Sequence, residues 1–193
     1  MKNWTGNSKS VYTTLGASSH SKEERERFDY YATDPSAIDD LFNREEFSEN
    51  IWECACGEGH LSKRMLFYGL NVFSSDLIDR GYGEVADFLS IKWYEWNGDI
   101  ITNPPYKYAQ EFVEKSLSII PTGNKVAMFL KLTFLEGQKR KQMFLINPPK
   151  KIYIYSKRKE CAKGGEFKGS SAVAYAWYVW KKGYKGKPEI EWI

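Results

Sequence analysis

The stretch ECACGEGH, residues 53–60, carries the chain from an apolar strand into an amphipathic helix through a turn built on Gly57 and Gly59. No other segment restricts the fold as tightly. Ile51-Trp52 leads into it as a strand, and Leu61, Met65 and Tyr68 follow on one helical face. Gly69 can close that helix in a left-handed cap. Leu70 to Ser75 then reads as a second strand that ends at Asp76. In this order the segment is a βαβ unit, which predicts a parallel sheet.

The same alternation continues along the chain. Upstream, Asp34 suits an N-cap and Pro35 a first helical position, with Ile38, Leu41 and Phe42 at i, i+3 and i+4. Downstream, strands are expected at Val85–Leu89, Asp99–Thr102, within Lys125–Leu132, at Ile152–Tyr155 and at Val173–Trp180. Helices are expected where Ala109, Phe112, Val113 and Leu117 mark one that ends before Pro121, and over Gln138–Leu145. The aromatic cluster Trp93, Tyr94 and Trp96 fits no regular pattern. The expected fold is α/β and Rossmann-like, a mostly parallel seven-stranded sheet with helices on both faces and an antiparallel last strand. With 193 residues and 42% apolar letters, one domain is expected over residues 28–193. A flexible polar segment is expected over residues 1–27, and a basic loop at about 156–170.

Composition excludes several classes. The longest apolar run, Ala172 to Trp180, is nine residues, against roughly 20 for a membrane-spanning helix. The first 21 residues hold no apolar signal core, and three cysteines make no disulfide framework, so a reducing cytoplasm is expected. Charge divides unevenly. Residues 1–137 carry 14 Lys and Arg against 21 Asp and Glu, whereas residues 138–193 carry 14 against 4. A basic C-terminal region of this kind suits a polyanionic partner.

Three groups of residues carry chemistry. Glu53, at the head of Glu-x-x-x-Gly-x-Gly, suits a cationic ligand such as an amino-acid ammonium group, whereas a pyrophosphate would be repelled. Asp76, seventeen residues after Gly59, ends a strand where a carboxylate can take both hydroxyls of a ribose. Asp87-Phe88 offers an acceptor for an adenine amino group and a ring for its face. The third group is Asn103-Pro104-Pro105-Tyr106, which ends the strand Asp99–Thr102 about 45 residues after the glycine loop. Asn147-Pro148-Pro149 repeats its first three letters but continues to Lys150, lacks the aromatic ring and lies between a helix and a strand. The second copy is therefore expected to be a connecting turn. Cys54, Cys56 and His60 lack a fourth ligand at plausible spacing, so no metal is expected. The stripe Tyr175, Trp177, Tyr178 and Trp180 is expected to be strand packing.

These motifs resemble those of the S-adenosylmethionine-dependent adenine-N6 DNA methyltransferases, of small phage and prophage type, over about residues 29–180. Glu53 to Gly59 resembles their motif I, Asn103 to Tyr106 their motif IV, and Thr33-Asp34-Pro35 their motif X in the arrangement that places it first. The resemblance implies S-adenosylmethionine as cofactor, held by Tyr31, Thr33, Glu53, Cys54, Ala55, Gly57, Gly59, Asp76, Asp87, Phe88 and Asn103. It implies catalysis by Asn103, Pro104, Pro105 and Tyr106: two acceptors draw the hydrogens of the adenine amine, and the ring stacks on a base flipped out of DNA. Lys139, Arg140, Lys157, Arg158, Lys159, Lys163 and Lys168 are the expected phosphate contacts. Larger members carry a separate target-recognition domain for which this chain has no room, so specificity is expected to be weak or to reside in the basic loop. The alternatives are an enzyme of the same class acting on RNA adenine or on a protein glutamine amide, and a nucleic-acid-binding module without catalysis.

Overall fold

The computed structural model describes residues 32–92, 95–159, 161–162 and 173–193. Residues 1–27, Tyr31, Trp93, Tyr94, Lys163, Lys168 and most of the basic loop fall outside them. In chain order the elements are β1 (Ala32–Thr33), α1 (Ser36–Phe42), β2 (Asn50–Glu53), α2 (His60–Phe67), β3 (Asn71–Asp76), β4 (Glu84–Val85), β5 (Asp99–Thr102), α3 (Ala109–Ile119), β6 (Lys125–Lys131), α4 (Gln138–Ile146), β7 (Lys151–Ile154), β8 (Cys161–Ala162), β9 (Tyr175–Lys181) and β10 (Glu189–Trp192). Short 3₁₀ turns at Tyr106–Tyr108 and Leu132–Leu135 follow β5 and β6.

One sheet holds eight strands in the order β10-β7-β9-β6-β5-β2-β3-β4, and β1 pairs with β8 in a separate antiparallel ribbon. All neighbours in the large sheet are parallel except β9, which runs antiparallel to both β6 and β7. The expected seven strands become eight because β10 adds to the edge beside β7, in parallel. Its four residues, EIEW, are too short to stand out after the Lys- and Gly-rich stretch before them. At the opposite edge the strand expected over Val85–Leu89 stops at Val85. Asp87 ends it, accepting hydrogen bonds from the Leu89 N–H (3.1 Å) and the Ser90 hydroxyl (2.5 Å) to form a turn.

The period-two pattern of the strands divides the core into two layers. Trp52, Ile100, Val126, Met128, Leu130, Ile152 and Tyr178 face α3 and α4, where Phe112, Val113, Leu117 and Met143 cover them. Ile51, Ile101, Ala127, Phe129, Tyr153 and Trp177 face α1 and α2, where Ile38, Leu41, Leu61 and Met65 cover them. Tyr68 departs from the face expected of it. It is exposed at the end of α2, and its hydroxyl donates to Asp39 on α1. The aromatic stripe on β9 is buried throughout. No helix among the described residues is long and apolar enough to cross a membrane.

A largely buried ion pair ties the loop after α1 to β6 and β7. The Glu45 carboxylate accepts from the Lys125 ammonium (2.5 Å) at the start of β6 and from the Tyr153 hydroxyl (2.8 Å) on β7. Burial raises its pKa, but these partners outweigh burial and hold it below the usual carboxylate value. A depressed folded pKa stabilises the protein above the unfolded value near 4.5 and loses that contribution as pH falls through the folded value. The urea midpoint of the wild type is therefore expected to drop on acidification below pH ~4.5. Glu45→Gln should lower stability at pH 7 by about 1–3 kcal/mol and flatten that acid limb.

Candidate active site

In an open α/β sheet, a ligand crevice forms where consecutive connections leave neighbouring strands in opposite directions. Here that point lies between β2 and β5. They are parallel neighbours, with Trp52 opposite Ile100, and the chain passes from β2 to β3 on one side and from β5 to β6 on the other. The glycine loop leaves the carboxyl end of β2, and Asn103 leaves the carboxyl end of β5. The two motifs thus flank one crevice.

The glycine loop is held by its own backbone and by the end of β3. Gly57 and Gly59 adopt φ of 54° and 78°, a left-handed conformation that a side chain would strain. The Gly57 N–H donates to an Asp76 carboxylate oxygen (2.8 Å), the Ile78 N–H to the other (3.0 Å), and the Cys56 N–H to the Ser75 carbonyl (2.9 Å). Asp76 therefore ties the loop to the third strand while standing at the crevice. Tyr82, which sequence reasoning passed over, lies against the loop: a Cβ on Gly59 would sit 2.3 Å from its ring. Its only sequence signal is a ring flanked by Gly81 and Gly83 in the connection after β3.

Glu53 is turned inward at 2% exposure, where it accepts a short hydrogen bond from the Ser62 hydroxyl of α2. Ser62 and Ser74 share a further bond of 2.6 Å, so the three side chains link β2, α2 and β3. Burial pushes the Glu53 carboxyl up to about 8, with the Asp76 charge adding to the rise and Ser62 opposing it. At neutral pH the group is largely protonated and is not the ready anion that its place in the sequence suggests. Cys54 and Cys56 are buried, Cys56 pushed up to about 12, first by burial and then by the Glu53 and Asp76 charges. Neither is a reactive thiolate. Ala55 is half-buried beside them.

Across the crevice, Asn103 and Pro105 are half-buried and Pro104 is buried. The Asn103 side-chain N–H donates to the Thr33 hydroxyl (2.8 Å) on β1, so the side-chain plane is oriented by a residue 70 positions earlier. Tyr106 opens the 3₁₀ turn, which the Tyr108 N–H closes on the Pro105 carbonyl (2.9 Å). Its ring is half-buried, 5.9 Å from the ring of Tyr175. Asp87 is exposed and serves its own turn, and Phe88 is packed at 2% exposure against Trp52 (5.1 Å) and Phe112 (5.0 Å). Phe88 thus belongs to the core and presents no open face.

The second Asn-Pro-Pro lies at the opposite end of the sheet. Asn147 caps the end of α4 and its carbonyl accepts from the Trp180 indole (3.0 Å), while the Lys150 N–H donates to Val179 (2.7 Å) at the entrance to β7. The basic residues also divide. Lys139, Lys157 and Arg158 are exposed. Arg140 donates to the carbonyls of Phe134 (2.8 Å), Thr133 and Glu136, and Lys159 binds Ser36 (2.6 Å) and Asp40 (2.7 Å) on α1, so both are occupied within the protein. The loop that Lys159 begins returns to the site through β8, where Cys161 pairs with Thr33. Among the described residues no group of three or more His, Cys, Asp or Glu is placed to hold a metal ion.

Many solved structures share this fold. A protein from Vibrio vulnificus, described as a modification subunit of a type I restriction enzyme, superposes with a TM-score of 0.61 at 13% identity over 85% of this chain and 47% of its own. This chain thus spans about half the length of that protein. A protein from Listeria monocytogenes described as a class I S-adenosylmethionine-dependent methyltransferase matches with a TM-score of 0.58 at 13% identity over 93% of this chain and 70% of its own. A protein from Pyrococcus horikoshii described as an RNA methyltransferase matches with 0.53 at 13% over 92% and 98%. The chain has the Rossmann-like methyltransferase fold. No protein-family model matches the sequence, and no curated protein matches it.

In this methyltransferase fold Glu53 makes a measurable prediction. Its folded pKa lies above the unfolded value of 4.5, so its burial costs progressively more as pH rises from 4.5 toward 8. Glu53→Gln, which keeps the size and the acceptor for Ser62, is expected to remove that slope. Thermal unfolding should show the variant gaining on the wild type by a few °C between pH 6 and pH 8.5, with equal melting near pH 5.

Proposed function

We propose that the chain is an S-adenosylmethionine-dependent methyltransferase that acts on the exocyclic N6 amine of adenine in DNA. The observation that carries this reading is the pairing of the two motifs across the β2–β5 crevice, with Asn103 oriented by Thr33. The residues present suit the cofactor. Gly57 and Gly59 offer backbone without Cβ, Asp76 stands at the end of β3, and Thr33 and Ala55 border the same crevice. S-adenosylmethionine, bound there, supplies a methyl group on a sulfonium.

The protein's own part is to turn a poor nucleophile toward that methyl. The adenine amine lends its lone pair to the ring. The Asn103 side-chain oxygen and the Pro104 carbonyl accept its two hydrogens, favouring a pyramidal nitrogen with its lone pair directed outward. The Thr33 hydroxyl takes an N–H of the Asn103 amide and so fixes the plane of the side chain whose oxygen would accept from the substrate. Pro104 and Pro105 fix the backbone of the turn. Tyr106 offers a ring face to a base lifted from its stack. Lys139, Lys157 and Arg158 are exposed and would contact phosphates, whereas Arg140 and Lys159 hold neighbouring elements in place.

The likeness to a protein described as a restriction-modification subunit is in keeping with DNA as substrate. RNA adenine is the second reading, favoured by the Pyrococcus protein, which this chain matches over 98% of its length. Incubation of DNA, RNA and protein pools with labelled S-adenosylmethionine, followed by mass spectrometry of the hydrolysates, separates them. N6-methyladenine in DNA is expected; label confined to RNA or to glutamine would overturn the DNA assignment. Asn103→Ala is expected to lower turnover by at least about a hundredfold, the scale set by losing one aligned hydrogen bond at a reacting group. Calorimetry should show its affinity for S-adenosylmethionine changed by less than about threefold, since the acceptor acts on the amine.

A further inference from the structure

Lys131 ends β6 three residues beyond Met128, whose strand partner is Thr102, the last residue of β5. It therefore projects alongside the Asn103–Tyr106 turn. Its ammonium lies 4.6 Å from the centre of the Tyr106 ring. Tyr175, its partner across the β6–β9 pair, stacks on Phe129 (5.1 Å) on the same face of the sheet and fixes the strand end from which the side chain departs. Lys125, at the other end of β6, is paired with Glu45, and Lys151 and Lys159 are paired with carboxylates as well. None of the ion pairs among the described residues involves Lys131. A half-buried cation is thus held against the ring that would stack on a base, and no carboxylate among the described residues forms an ion pair with it.

We infer that Lys131 is a substrate-binding residue whose ammonium takes a backbone phosphate next to the target adenine. This rests on the nucleic-acid reading of the site and sharpens it. A base that stacks on Tyr106 takes the space over the ring, and the four-carbon stem lets the ammonium move from the ring to the anion that arrives with that base. The attraction between ammonium and ring at an accessible site is weak, so the exchange for a phosphate is favourable. A glutamine side chain brings an amide and no obligatory anion beside it. A cation at this place therefore selects nucleic acid over protein at the point of catalysis.

The test is binding of a labelled single-stranded DNA oligonucleotide with one adenine, followed by fluorescence anisotropy across a salt series in the presence of S-adenosylmethionine. Loss of one phosphate contact lowers the slope of log K against log salt by about 0.7, which corresponds to roughly fivefold weaker binding at 0.1 M salt. Lys131→Gln is expected to show that change, and Lys131→Arg to keep the wild-type slope. Lys187→Gln, at the opposite end of the sheet, is expected to change neither slope nor turnover. A Lys131→Gln protein with the wild-type slope would overturn the proposal even if turnover falls, because the lysine would then only support the ring. If the wild type binds the oligonucleotide but transfers no methyl group to it, the proposed function falls, and Lys131 is still judged by its slope.

Discussion

The parallel contact between β2 and β5 is the constraint on which the remainder of the site depends. Two adjacent strands of the same polarity send their chains away in opposite directions, one to β3 and the other to β6. The turns between must separate and leave a crevice, whatever their sequence. What the sequence adds is the content of those turns: glycines without Cβ on one side and a rigid Asn-Pro-Pro-Tyr on the other. The second Asn-Pro-Pro shows how much position matters. It enters β7 at the amino ends of the parallel strands, where the Asn147 carbonyl accepts from Trp180 and the Lys150 N–H donates to Val179, both on β9. The triplet makes a corner in both places: one stands beside the glycine loop at the carboxyl ends of β2 and β5, and the other borders a separate pocket with Trp180 and Tyr184 at the amino ends.

Rigidity at the crevice comes from polar groups that cross between elements. Asp76 receives two backbone N–H groups, one from the glycine loop and one from its own turn, so the loop cannot shift without breaking a charge-assisted bond. Behind it, Glu53, Ser62 and Ser74 join the strands to the helix that the loop starts. The Asn103–Thr33 bond performs the same service for the opposite wall, and it brings in β1, which is not part of the large sheet. Because β1 pairs with β8, the base of the basic loop is fixed against the same wall.

The strand and helix sequence was legible because periodicity records burial, and most of these segments are buried on a regular face. Ile38 and Leu41, Leu61 and Met65, Phe112 and Val113 all fall where their spacing puts them. The failures have physical reasons. β4 and β10 are edge strands of two and four residues whose side chains are mostly exposed, so they carry little apolar pattern. Glu53 reads as a ligand for a cation because sequence shows the type of residue and not its direction; in the fold it points at Ser62. Phe88 reads as a ring beside a ligand and is held in the core by Trp52 and Phe112. The Thr33 hydroxyl as partner of Asn103 and the Tyr82 ring over Gly59 depend on contacts between distant segments, which no local pattern carries.

Charge is the property that the linear sequence represents least well. The C-terminal excess of Lys and Arg suggests one basic surface, yet much of it is spent internally. Lys151 pairs with Glu189 and Glu191 on the edge strand, Lys159 with Asp40, and Arg140, Lys182 and Lys185 donate to backbone carbonyls. Meanwhile the acidic N-terminal part supplies Lys107, exposed beside the exposed ring of Tyr108, and Lys131, over Tyr106. Both lie at the carboxyl ends of β5 and β6, next to the turn that would hold the base. Lys139 at the start of α4 and Lys157 after β7 extend the same end of the sheet. A polyanion approaching that end meets cations drawn from both parts of the sequence, because strand polarity, and not position along the chain, decides which ammonium groups share a surface.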